Sequence, residues 1–205
     1  VGAVLVDKDT PGVTFGPQEQ LMGFRGVPSA DIYLDNVSVP KTNILVEAGS
    51  FGRLMEVFNI ERLGNAAMAL GTAAGALEQA KAYVTERSQF GKPIVDFQAI
   101  QLRLAEMEMK TEASRLLIYR AASNAINGAP QLQETLVAKC FANEMVREVC
   151  GAGVQLMGRY GYAKASLMER RFRDAWGWGI AGGTIDIQKV NLASELVGRR
   201  FNQRS

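Results

Sequence analysis

Two hydrophobic rhythms divide the chain. Up to residue 46 the apolar positions fall in short runs or alternate with polar ones. Val1-Gly-Ala-Val-Leu-Val6 reads as a strand, Asp9-Thr-Pro-Gly12 as a turn, and Ala30 to Val39 alternates residue by residue. Three such strands are too few to bury two faces, so residues 1–46 read as part of a larger sheet. The sequence also opens with Val in mid-pattern, which reads as a piece of something longer.

Beyond residue 46 the period becomes helical. A first helix is expected over 51–85, with Leu54, Val57, Phe58 and Met68 as apolar positions and Gly64, Gly71 and Gly75 allowing close approach of another backbone. A second covers 97–127, its stripe formed by Ile100, Leu104, Met107, Thr111, Ser114, Ile118 and Ala121, with Asp96 as N-cap and Gly128-Ala-Pro130 as stop. A third runs from Pro130 to Leu156, Ser166-Leu-Met-Glu169 has the form of a capping box opening a fourth, and a fifth spans Thr184 to Arg199. Long helices with short connections predict an antiparallel bundle, so the chain is expected to be mainly α over residues 47–205.

Charge and composition narrow the chemistry. The net charge of +2 with no dense basic run gives no support to nucleic-acid or anionic-membrane binding. Without histidine, catalytic triads and metal sites that need imidazole are excluded within the chain, and acid–base work falls to Asp, Glu, Lys, Tyr or Cys. Cys140 and Cys150 sit ten residues apart in one expected helix, a spacing that fits neither a zinc pair nor a disulfide framework. They read as buried free thiols in a reducing compartment, and no metal site is expected. No run of roughly eighteen apolar residues predicts a membrane span, and no charged leader with a cleavage site opens the chain.

Four segments could carry chemistry. Glu61 interrupts the apolar positions of the first helix; burial raises the pKa of a carboxylate, as a base working near neutrality requires, although a Glu at the edge of a face, paired with Arg62, explains the pattern too. Arg87-Ser-Gln-Phe-Gly91 with Gln98 could hold a pyrophosphate through charge-assisted hydrogen bonds, or Arg87 could simply be solvated. Gly182-Gly183-Thr184 at a helix start offers backbone N–H groups to a polarised acceptor, or is a glycine loop with a Thr cap. Gln155 to Tyr162 reads as a ligand turn or a helix C-cap, and Trp176 and Trp178 as ligand-lining residues or packing anchors.

The order and spacing of these segments resemble the acyl-CoA dehydrogenase family over nearly the whole chain. The matching motifs are Arg25-Gly26 before Asn36-Val-Ser-Val-Pro40; Glu61-Arg-Leu-Gly64; Glu86-Arg-Ser-Gln-Phe-Gly-Lys-Pro93 with Phe97-Gln-Ala-Ile-Gln101; Gln155-Leu-Met-Gly158 with Tyr160-Gly161; and Arg173-Asp-Ala175 followed by Gly183-Thr184 and Ile187-Gln188.

The resemblance implies that residues 1–46 are the C-terminal part of a barrel-like middle β-domain and 47–205 a whole C-terminal helical bundle, and an FAD enzyme that converts an acyl-CoA thioester to the trans-enoyl-CoA. An electron-transferring flavoprotein is the implied acceptor, a homotetramer or dimer the implied assembly, and the cytoplasm, or the mitochondrial matrix in a eukaryote, the implied location. Much of the flavin site would lie in an N-terminal half, so this chain by itself is expected to be an incomplete active site. Family members carry the catalytic glutamate either before the Gly-Thr near the last helix, where this chain has Gly182, or on the first bundle helix, where it has Glu61.

By the same resemblance Asn59, Arg62 and Gly183 are substrate contacts. Arg87, Ser88, Gln89, Phe90, Gln98, Gln155, Gly158, Arg159, Thr184 and Asp186 are FAD contacts, those of the bundle often reaching a neighbouring subunit's flavin. Arg159 stands where relatives usually have a second Gly, and Trp176-Gly-Trp178 departs from the family pattern in a way expected to reshape the acyl pocket. The rival readings are a non-catalytic partner subunit or oligomerisation domain, and a flavin monooxygenase or nitroalkane-oxidase-like enzyme on the same fold.

Overall fold

The computed structural model describes residues 2–201, apart from the side chains of Phe51 and Arg53. Val1, the first residue of the expected opening strand, lies outside them. The chain divides into two compact units, Val1–Phe58 and Asn59–Ser205.

In the first unit β1 (Ala3–Val4) pairs antiparallel with β4 (Ile44–Val46), and β2 (Val13–Phe15) with β3 (Ile32–Leu34). The expected strand from Ala30 to Val39 is cut to three residues, because Asn36 turns to φ 50° and ends the extended run. Phe15, Ile32, Tyr33 and Leu34 are all exposed, so the alternation finds no core among the described residues of this unit.

The helical part consists of α1 (Phe51–Glu86), a hairpin of β5 (Ser88–Gln89) and β6 (Lys92–Pro93), α2 (Gln98–Ser123), α3 (Leu132–Met157), the single turn α4 (Arg159–Tyr162), α5 (Leu167–Trp178) and α6 (Ile185–Val197). Side chains bridging Lys110 to Glu148 and Arg120 to Glu134 set α2 antiparallel to α3. Asn143 Nδ2 on α3 donates to Asn65 Oδ1 on α1, and Tyr83 near the end of α1 meets Tyr160 just after α3, so α1 and α3 run parallel. The bundle is therefore up–down–up in its three long helices. α3 is buried on almost every side and packs against α2, α5 and α6.

The core face of α1 differs from the expected one. Val57, Phe58 and Met68 are exposed; the buried positions are Ala66, Ala69, Leu70, Ala73, Ala76, Leu77, Ala80 and Val84. Alanines at three- and four-residue spacing carry little hydrophobic signal, yet they let α1 lie close against the bundle. The glycines do not have the role assigned to them. Gly64 and Gly71 face open space, and Gly75 accommodates the Arg171 guanidinium, a side chain and not a backbone.

The stripe of α2 is where it was expected, with Met107, Thr111, Ser114, Ile118 and Ala121 buried. Its ends differ. Phe97 is the N-cap and contributes no side-chain cap, Asp96 closing the 3-10 turn before it. At the other end Asn127 and Gly128 turn at φ 51° and 78° between the bridged Ile126 and Ala129, so the helix stops at Ser123. Only half of the capping box forms. Ser166 Oγ accepts from Met168 N–H at 3.1 Å, whereas Ser166 N–H donates to Ala163 O and Glu169 takes Arg173 at 2.6 Å. Cys140 and Cys150 are buried free thiols, and burial pushes the Cys150 thiol up to about 12.

Candidate active site

The candidate base lies in the first turn of the second unit's share of α1. Glu61 is exposed in this chain, and the apolar enclosure suggested by the sequence is not formed here, because Phe58 and Met68 on its side of the helix are exposed as well. Its carboxylate nevertheless has a specific neighbour. A Cβ built on Gly182 would stand 2.6 Å from Glu61 Oε1 and 2.9 Å from Cδ, and would overlap Oε2. A side chain at Gly182 would meet the Glu61 carboxylate where it now stands, and φ of 63° at Gly182 and 91° at Gly183 favours glycine independently.

The turn that carries these glycines is held from inside the bundle. Lys139 Nζ donates to the carbonyls of Ala181 at 2.7 Å and Gly182 at 2.8 Å. Gln188 Nε2 donates to Gly182 O at 3.1 Å and Gly183 O at 3.3 Å. Asn65 Nδ2 donates to Trp178 O at 3.2 Å, and Asn143 Nδ2 to Asn65 Oδ1 at 2.9 Å. α1, α3 and α6 thus grip one loop through buried polar side chains, an arrangement that specifies a geometry because each buried donor needs its partner. Three consecutive carbonyls, 181 to 183, are drawn inward. Beyond them Thr184 caps α6, its Oγ1 accepting from Ile187 N–H at 3.4 Å, and Asp186 is exposed in the first turn.

The expected substrate residues surround the same point. Asn59 and Arg62 are both buried and bonded to each other, Arg62 Nη1 donating to Asn59 Oδ1 at 2.8 Å. Burial holds the Arg62 guanidinium below its ordinary pKa, opposed by the charge of Glu61. Arg62 Nε and Gln188 Oε1 are buried with no partner among the described residues. Trp178 packs partly buried against the core with Nε1 donating to Thr72 Oγ1 at 3.2 Å, while Trp176, 43% exposed, lies under the Arg147 guanidinium at 4.4 Å.

The remaining residues gather at the opposite end of the bundle. Arg87, Ser88, Gln89 and Phe90 form the β5–β6 hairpin, whose tip turns at φ 53° (Phe90) and 80° (Gly91). Such a turn suits Asn-Gly; a Phe there is strained, and it is 93% exposed, edge-on to Phe97 at 6.1 Å. Gln98 opens α2 close by. Gly158 ends α3 at φ 55°, with Gln155, Arg159 and Tyr160 exposed around it, and the Tyr83–Tyr160 pair at 5.9 Å brings this turn to the hairpin's end of α1. With a rise of ~1.5 Å per residue, Glu61 and Arg87 are about 35–40 Å apart along α1.

Lys139 and Gln188 went unrecognised as site residues in the sequence. A signal was present: Thr135, Lys139 and Asn143 recur every fourth residue, which puts three polar side chains on one face of a helix, and all three are buried.

The model of the family described as acyl-CoA dehydrogenase, C-terminal domain, matches residues 51–197, and the chain belongs to the acyl-CoA dehydrogenase family. It is 40% identical over 198 residues to a caffeyl-CoA reductase–Etf complex subunit of Acetobacterium woodii, covering 96% of this chain and 52% of that protein. It is 41% identical over 194 residues to a 3-(aryl)acrylate reductase of Clostridium sporogenes, covering 94% and 52%. The butyryl-CoA dehydrogenase structure from Megasphaera elsdenii superposes with a TM-score of 0.91 at 36% identity, covering 96% of this chain and 51% of that one. The chain spans about half the length of these relatives. No helix among the described residues is long and apolar enough to cross a membrane.

Proposed function

We propose that this chain is the helical, base-bearing half of an FAD-dependent acyl-CoA dehydrogenase, and that Glu61 is its catalytic base. The observation that carries the reading is the position of the Glu61 carboxylate, which lies where a side chain on Gly182 would begin. The two places where the family keeps its glutamate converge on one point, and this chain fills it from α1.

Glu61 takes the α-proton of the thioester, breaking the α-carbon C–H bond and leaving the electron pair to form the α,β double bond. The backbone N–H groups at Gly182, Gly183 and Thr184, turned outward as their carbonyls are drawn in, are suited to the thioester oxygen, whose negative charge grows as the proton leaves. Arg62 and Asn59 hold the substrate beside Glu61, and the unpartnered Arg62 Nε leaves a donor for it. The flavin, when bound, supplies the two-electron acceptor for the hydride released at the β-carbon.

The donor set fits a flavin dinucleotide. Arg87, Ser88, Gln89 and Gln98 offer exposed donors to a pyrophosphate, Phe90 an exposed ring to a flat ligand, and Gly158 a turn unobstructed by a side chain. Because the hairpin and Glu61 are farther apart than one extended dinucleotide spans, the two ends of the bundle are read as serving two flavins. Thr184 and Asp186 would attend the one beside Glu61, and the hairpin with Gln155, Gly158 and Arg159 that of a neighbouring subunit. An exposed stripe on α2, Leu102, Met109 and Leu116 at seven-residue spacing, supports a homo-oligomer built through the bundle.

The reductase names of two relatives favour a second reading, in which the same residues run the reaction toward the saturated acyl-CoA. Glu61 then delivers the α-proton, and the direction is set by the electron partner, for which an electron-transferring flavoprotein is the candidate. Anaerobic mixing of the intact flavoprotein with a panel of saturated and α,β-unsaturated CoA esters tests both directions. Bleaching by a saturated ester supports dehydrogenation; reoxidation of the reduced flavin by an unsaturated ester alone supports the reverse. Oxygen uptake with no flavin reaction under anaerobiosis would instead favour an oxygen-dependent enzyme.

A further inference from the structure

Lys139 is the bulkiest side chain buried to completion in the chain, at 0% exposure. A buried ammonium is unfavourable unless hydrogen-bonded and matched by opposite charge. The two carbonyls of Ala181 and Gly182 supply the hydrogen bonds. Glu61 supplies the charge. We propose that Lys139 is a positioning residue for the base: it pulls the 181–182 carbonyls inward so that the turn's amides face outward beside Glu61. The proposal rests on the reading of Glu61 as the base.

Two adjacent glycines have more backbone freedom than any other pair, so a Gly182-Gly183 turn does not fix its own geometry. Lys139 and Gln188 fix it from opposite elements, α3 and α6. They differ in one respect, since Gln188 is neutral and acts on geometry alone. Burial pushes the Lys139 pKa down and Arg62 acts in the same direction, while Glu61 and the neighbouring Cys140 thiol oppose them. These are the titratable and charged groups facing Lys139: two from α1, one from α3 and none from α6.

The test uses the full-length, flavin-loaded parent. Lys139→Met, Lys139→Gln and Gln188→Leu are compared with the unaltered protein by anaerobic flavin reduction across ester concentration, and by thermal midpoint with and without Glu61→Gln. Lys139→Met is expected to retain flavin and to lower the limiting rate of flavin reduction at least ~10-fold, with little change in the ester concentration that half-saturates it. Lys139→Gln keeps donors for the carbonyls and recovers part of the rate; Gln188→Leu slows the reaction in the same way.

A flavin-loaded Lys139→Met protein with the unaltered limiting rate overturns the proposal, as does failure of both Lys139 variants to load flavin, which marks a purely structural lysine. If the unaltered parent bleaches with no ester, the dehydrogenase reading fails separately. The thermal midpoints then decide the pairing. A smaller loss from Lys139→Met in the Glu61→Gln background supports it, and additive losses overturn it.

Discussion

The Glu61 carboxylate occupies the space that a side chain on Gly182 would need, with Oε1 2.6 Å from the position of the absent Cβ. The two residues are 121 positions apart in sequence (182 minus 61) and meet because the loop after α5 is gripped by α1, α3 and α6. A side chain on Gly182 and the Glu61 carboxylate as it stands therefore exclude each other.

This exclusion makes a reciprocal prediction. Gly182→Ala in the intact protein introduces a Cβ against the carboxylate and a non-glycine residue at φ 63°, and is expected to destabilise folding by about 1–2 kcal/mol and to slow flavin reduction at least ~10-fold. Glu61→Gly combined with Gly182→Glu moves the carboxylate to the other backbone and is expected to recover part of the activity that Glu61→Gly alone loses. Rapid-mixing measurement of flavin bleaching in the three variants checks both parts.

Phe90 is strained where it stands, and the proposed flavin contact is what that strain serves. Phe90→Asn, which suits the two-residue turn with Gly91, is expected to stabilise the hairpin by up to ~1 kcal/mol while weakening flavin retention. Chemical denaturation and flavin release on dilution, measured on the same sample, should move in opposite directions. Weaker folding with unaltered flavin retention would identify Phe90 as a packing residue against Phe97.

The exposed stripe of α2 predicts how the protein assembles. Leu116→Lys introduces a charge on a surface whose side chain is already 61% exposed in the single chain, so folding of the bundle should change by less than ~0.5 kcal/mol. If Leu102, Met109 and Leu116 line the contact between subunits, sedimentation velocity of the intact variant will show a smaller assembly and reduced flavin content. An unaltered sedimentation coefficient places the interface elsewhere.

Cys150 gives the alkaline limb of stability a definite sign. Its folded thiol is raised to about 12, above its ordinary value, by burial. Its contribution is therefore complete below the unfolded-state pKa and is lost as pH rises toward the folded one, because the unfolded thiol ionises first. The expected slope is about −1.4 kcal/mol per pH unit between ~9 and 12. Urea denaturation across that range should show the slope in the unaltered chain and a shallower one in Cys150→Ala.

Much of the bundle was legible because α2 buries an apolar stripe at helical spacing and because Gly128-Ala-Pro130 marks the break before α3, whereas the β5–β6 hairpin was not foreseen in the segment from Glu86 to Pro93. α1 was misread in its packing, though not in its extent. Its core face is built of alanines, which a hydrophobic pattern hardly registers, while Phe58 and Met68, the louder signals, are exposed. The helix ends were misjudged where one local interaction displaced another, as at Asp96 and Glu169. Glu61 could be selected only by its resemblance to a family position, since periodicity alone placed it in an enclosure that this chain does not form. The grip of Lys139 and Gln188 on the glycine turn escaped notice because it joins residues 42 to 43 positions apart, and 5 to 6 apart, through backbone carbonyls that no motif records.

The most direct measurement is anaerobic reduction of the flavin by the best CoA ester in the intact protein carrying Glu61→Gln. That variant keeps the shape beside Gly182 and removes the base. The account predicts bound flavin and a bleaching rate lowered by about 10²–10⁴-fold or more. A flavin-loaded Glu61→Gln protein that bleaches at the unaltered rate would contradict it.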